Sequence, residues 1–177
     1  MADYFKEDVV VNHKPMMANI LYVVCWVLLV VFALYGLLLL QVLMFGFDVM
    51  TLVLAALSIG AAVCMFMIKD NFKVEYEYAF TNGYLDFAKV MRGARRKELG
   101  SMKVANVSAC GHVAHESFRR FLSMKDVEKK NWFLNRDGNL FYFYYVKDGK
   151  KKMIIIEPSE EMVGMIRVYL PAGVYQG

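Results

Sequence analysis

The chain has 177 residues, 58% of them hydrophobic, with 21 Lys and Arg against 17 Asp and Glu and a formal net charge of +4. Ordinary soluble domains use about 45 to 50% apolar residues, and the excess here is concentrated, because Asp48 is the only charged side chain between Lys14 and Lys69. That distribution excludes a uniformly soluble globule and divides the chain into an apolar first part and a charged second part, with no nucleic-acid partner expected.

Residues 1–14 (MADYFKEDVVVNHK) read as a cytoplasmic N-terminal tail. Met16 to Phe47 and Val49 to Ile68 then carry no charge. A helix rises ~1.5 Å per residue and a hydrocarbon core is ~30 Å thick, so ~20 residues suffice for each crossing. The predicted spans cover residues 16–44 and 49–68 within a two-helix transmembrane hairpin, 15–69, joined at FGFD, Phe45 to Asp48. A cleaved signal fits poorly: the leader is mixed in sign, no A-x-A site follows, and a second span comes directly after. Lys6 and Lys14 flank the first span, Lys69 and Lys73 the second, and the turn carries only Asp48. The positive-inside bias therefore predicts a multi-pass cell-membrane protein with both termini cytoplasmic. Cys110 is alone in the charged part, so no disulfide framework is expected there.

Residues 70–177 read as one cytoplasmic β domain. Phe72, Val74, Tyr76, Tyr78 and Phe80 alternate with Lys73, Glu75, Glu77 and Ala79, the period of a strand with one buried face. Asn82-Gly83 suits a type I′ turn, which needs φ > 0 at both central residues, and Tyr84 to Phe87 returns as the second strand. Similar punctuation follows at Arg92-Gly93-Ala94, Asp137-Gly138-Asn139 and Asp148-Gly149. Ala109 to Asn131 breaks the pattern, and is expected to be a strand running into an irregular or partly helical excursion. The period changes once more after Pro158-Ser159, where Met162, Met165, Ile166 and Tyr169 share one face of a helix predicted over 159–170.

About seven strands closed by one helix resembles a pleckstrin-homology-like (PH-like) domain. Two spans followed by VEYEYAFTNGYLDF, the basic RGARRK and a closing IIIEPSEEMVGMIRVYLP resemble a family of short bacterial membrane proteins. Its members have two N-terminal transmembrane helices and a C-terminal PH-like domain. The resemblance implies an α+β membrane protein, with a transmembrane helical hairpin followed by an antiparallel β-sandwich or open barrel and a C-terminal α-helix. It carries over no catalytic residues.

Lys89, Arg92, Arg95, Arg96 and Lys97 make a basic turn close in sequence to the second span. Cations near an anionic leaflet are worth ~1 kcal/mol each, so lipid contact is one reading and plain solvation the other. Lys150, Lys151 and Lys152 are weighed the same way. Ala56, Gly60 and Cys64 form a small-xxx-small stripe, suited either to packing on the first span or to a homodimer. Cys110, His112, His115 and Glu116 have the types of metal ligands. On a strand, however, His115 points away from the other two, and no metal or other cofactor is expected. Catalytic and phosphate-loop motifs are absent from the sequence, which argues against an enzyme. Two functions remain: an interaction or scaffold module that holds a protein partner at the inner leaflet, and an anionic-lipid-binding domain acting through Arg92 to Lys97.

Overall fold

The computed structural model describes residues 4–92 and 95–176. The chain forms two compact units, one of residues 14–74 and one of residues 1–13 with 75–177.

In the apolar unit α1 (Pro15–Phe45) packs along α2 (Val49–Ile68), and both helices are long and apolar enough to cross a membrane. Pro15 opens α1, where its missing N–H costs nothing. Asp48 caps α2, its carboxylate accepting from the Thr51 amide and hydroxyl, both at 2.8 Å. Ser58 Oγ donates to the Phe32 carbonyl at 2.7 Å, so its hydroxyl is not left unpaired among apolar groups. A 3₁₀ turn, Lys69–Phe72, follows α2. There the buried Lys69 ammonium lies 3.1 Å from Asp70 Oδ1, 4.3 Å from the Phe66 ring centroid and 5.3 Å from that of Trp26. Lys73 stands 4.5 Å from the Tyr22 centroid, so both lysines gain cation–π partners.

The other unit has two four-stranded sheets. The first runs in the order β1 (Phe5–Val10), β2 (Val74–Thr81), β3 (Tyr84–Met91), β4 (Arg95–Lys103). The second is ordered β5 (Ala109–His112), β7 (Phe141–Lys147), β8 (Lys150–Ile156), β6 (Val127–Trp132). One core joins them: Tyr78, Phe80, Leu85 and Phe87 meet Phe141, Phe143, Ile154 and Ile156, with Met162, Val163 and Ile166 of α4 (Glu160–Val168). Asn82 and Gly83 take φ of 46° and 86°, and Asp148 and Gly149 take 54° and 70°, the left-handed pairs that two-residue hairpins require.

Several expectations change. The first fourteen residues are not simply a tail, because Phe5–Val10 forms β1 and pairs antiparallel with β2 from Phe5↔Thr81 to Val10↔Tyr76. The apolar helices are thus inserted between two neighbouring strands. The sheets do not close into a barrel, and they are not purely antiparallel. β8 lies between β6 and β7 and runs parallel to β6, so the turn at Asp137-Gly138-Asn139 does not make a hairpin. The stretch 109–131 resolves into β5, α3 (Glu116–Leu122) and the start of β6. Phe118 of α3 buries Tyr142, Met153 and Ile155 on the outer face of the second sheet. With both faces covered, β7 and β8 read as unbroken apolar runs, FYFYY and MIII.

Candidate functional site

The basic turn joins β3 to β4. Lys89 stands opposite Lys97, Val90 opposite Arg96 and Met91 opposite Arg95; Gly93 and Ala94 lie outside the described residues. Arg92 adopts φ of 57°. Arg96 Nε pairs with Glu77 Oε2 of β2 at 3.0 Å. Among the described residues Lys89, Arg95 and Lys97 make no ion pair. Like charges directly opposite on a ladder destabilise it, so the Lys89/Lys97 pair is a cost that a bound anion would relieve.

Strand direction places this turn. β1 leaves the sheet at Val10 and β2 enters near Tyr76, its register partner. The Asn82-Gly83 turn lies at the far end of β2, so β3 runs back toward Tyr76 and ends at Met91. The cationic residues therefore occupy the end of the first sheet at which the chain departs for α1 and returns from α2.

A polar clamp holds the departing strand. Asn135, 4% exposed, donates from Nδ2 to the Val11 carbonyl at 3.0 Å and to Glu157 Oε1 at 2.9 Å, and its Oδ1 accepts from the His13 amide at 2.8 Å. Glu157 Oε2 also accepts the Asn135 amide at 3.1 Å. Gly138 lets this carboxylate come close, since a Cβ there would collide with Glu157 Oε1. Nearby, the Tyr78 hydroxyl donates to the Trp132 carbonyl and accepts from the Glu157 amide at 3.4 Å, and burial pushes its pKa up. β1 also fastens α4. Asp8 accepts from the Ser159 amide at 2.7 Å and hydroxyl at 3.1 Å, while Lys6 pairs with Glu161, a hydrogen bond that raises the lysine pKa. Ser159 in turn caps the helix by accepting from the Met162 amide at 3.2 Å.

The other candidates are dispersed. Cys110 is buried in the core and pushed up to about 12 by desolvation, which makes it a poor thiolate ligand. His112 Nδ1 lies 2.9 Å from Asn139 Oδ1, whereas His115 caps α3. No group able to hold a metal ion occurs among the described residues, Glu116 included. Lys152 approaches Glu128 at 3.7 Å. Ala56, Gly60 and Cys64 all lie on exposed positions of α2, and the helix instead buries Ala55, Ser58 and Ala62. The buried set lies on the face of α2 roughly opposite the predicted stripe, and it includes Ser58, whose hydroxyl bonds to the Phe32 carbonyl of α1. Gly36 of α1 accepts the close approach of Ile59, whose Cγ1 would lie 2.9 Å from a Cβ there.

The sequence reading missed β1 and the Asn135–Glu157 clamp. In β1 the side chains sharing a register face with Tyr76, Tyr78 and Phe80 are Val10, Asp8 and Lys6, so two of three inward positions are polar and the apolar alternation is inverted.

Two sheets sharing a core with one C-terminal helix, and cations at one sheet end, define a PH-like module with an apolar helical hairpin inserted after its first strand. The chain belongs to the bacterial PH-like domain family DUF6106, whose model matches residues 2–176. No curated protein and no solved structure gives a significant match.

Proposed function

We propose that the chain is a non-catalytic interaction module of the cell membrane, anchored by α1 and α2 with both termini cytoplasmic, whose PH-like domain meets anionic headgroups through its basic turn. The reading rests on one observation: Lys89, Arg92, Arg95, Arg96 and Lys97 lie at the sheet end from which both connections to the apolar helices depart. Lys6, Lys14, Lys69 and Lys73 flanking the hairpin, with only Asp48 at its turn, support the orientation. Membrane association tethers the domain, so the turn contributes orientation and local lipid selection more than affinity.

The test uses the full chain in nanodiscs, with a fluorophore on Arg92→Cys in a Cys64→Ser background. Quenching by headgroup-labelled lipid should be stronger in discs containing phosphatidylglycerol than in zwitterionic discs, and should fade as salt shortens the Debye length. Equal quenching in both discs at low salt refutes the lipid contact. A protein partner at the leaflet is the second reading, favoured by the outer edge of β6, which among the described residues pairs only on its β8 side. Proximity labelling that returns no reproducible neighbour counts against it. The β5 edge is less available, since the Cys110 amide donates to Val174 and its carbonyl accepts from Gln176.

A further inference from the structure

At the end of the first sheet away from the basic turn, β4 runs out at Lys103 into a 3₁₀ turn, Val104–Asn106, beside the end of β7. A cavity of about 150 Å³ opens there, lined by Ser101, Lys103, Asn106, Tyr145, Val146 and Lys147 together with the buried Met102. The polar residues around it are Lys103, Lys147, Ser101, Asn106 and Tyr145. No carboxylate contributes to it. Among the described residues neither Lys103 nor Lys147 makes an ion pair. Lys103 Nζ is 5.8 Å from the Tyr84 ring centroid, and the cross-strand neighbour of Lys147 is another cation, Lys150. Asp148, which follows in the hairpin turn, lies outside the lining.

Cations of one sign around a concave, low-dielectric wall concentrate the field inside it. Lysine binds oxyanions as a point charge, and hydroxyl and amide donors supply the neutral hydrogen bonds that complete such a site. A water occupies ~30 Å³ of liquid volume, so the space accepts a tetrahedral oxyanion with a short substituent. The floor is firm, because Met102 belongs to the core and Tyr145 packs against it.

We propose that this cavity is a binding site for a phosphate-type oxyanion, separate from the basic turn and independent of the lipid contact assigned to it. Free phosphate groups and lipid phosphodiesters share this chemistry, and the experiment distinguishes them. Full-length protein in zwitterionic nanodiscs is titrated with inorganic phosphate at fixed ionic strength, and heat or ³¹P line broadening is followed. Saturable binding is expected, weakened about tenfold or more in Lys103→Gln/Lys147→Gln and unchanged in Arg119→Gln/Arg120→Gln, two exposed cations of α3 that belong neither to this lining nor to the basic turn. Both lysines are exposed, so the double variant should keep its circular dichroism spectrum. In discs containing phosphatidylglycerol, a headgroup occupant lowers the apparent phosphate affinity of the wild type and a soluble occupant leaves it unchanged; either result supports the site. Absence of saturable phosphate binding, or binding that survives unaltered in Lys103→Gln/Lys147→Gln, overturns it.

Discussion

Asn135→Ala tests how the PH-like unit holds the strand that leads to α1. The side chain makes three hydrogen bonds from a position 4% exposed, two of them to the backbone of Val11 and His13 and one to Glu157. Truncation removes all three and leaves a carboxylate that is 9% exposed without its side-chain donor. A neutral hydrogen bond is worth about 1 kcal/mol and one to a charged group about 1.5 to 3 kcal/mol, so the combined loss is roughly 3 to 5 kcal/mol. In a unit of this size that lowers Tm by roughly 10 to 25 °C. The assay is a near-UV circular dichroism melt of the full chain in detergent, paired with hydrogen exchange at the His13 amide, which should lose its protection. A Tm decrease of under about 3 °C with His13 still protected would refute the clamp. Asn135→Asp should be at least as damaging, since a carboxylate cannot donate to Glu157 and opposes its charge.

Three further outcomes follow from the packing. Gly111→Ala puts a methyl group against the Gln176 carbonyl; it should cost about 1 to 3 kcal/mol and expose the Cys110 and Gln176 amides to exchange. Burial raises Cys110 from 9.0 to about 12 and also raises Tyr76, Tyr78, Tyr142 and Tyr145. The folded state then favours the protonated forms, and their stabilisation is complete below the unfolded pKa values. Stability should therefore fall as pH climbs from about 9 toward 12, read as a steady drop in denaturation midpoint; a flat profile refutes this. Gly36→Leu should loosen the α1–α2 pair by about 1 to 3 kcal/mol, whereas Gly60→Leu, with open space around its Cβ, should leave helical melting unchanged.

Legibility in the sequence followed local chemistry. The hairpin at Asn82-Gly83, the Asp48 turn and the helix entry after Pro158-Ser159 are set by residues within a few positions of one another, and all three appear where expected. Features that depend on distant segments were hidden. β1 pairs with β2 across some 70 positions and is fastened by Lys6 and Asp8 to Glu161 and Ser159 some 150 positions away, and within FKEDVV two of the three inward positions are polar. The parallel β6–β8 pair is a choice of edge between distant segments, and the α3 layer covers the outer face of Tyr142, Met153 and Ile155, whose apolar runs, buried on both sides, carry no period to read. The basic turn was visible as composition, but its place on the sheet depended on β1 being a strand.

Because the helical hairpin sits between β1 and β2, synthesis order and folding order conflict. The first strand emerges from the ribosome long before its partner, and the Val10↔Tyr76 pairing closes only after both helices have been made. Until then β2 has an open edge, the kind that recruits foreign strands. Completion of the first sheet therefore waits on the synthesis of the long apolar insert that separates its first two strands.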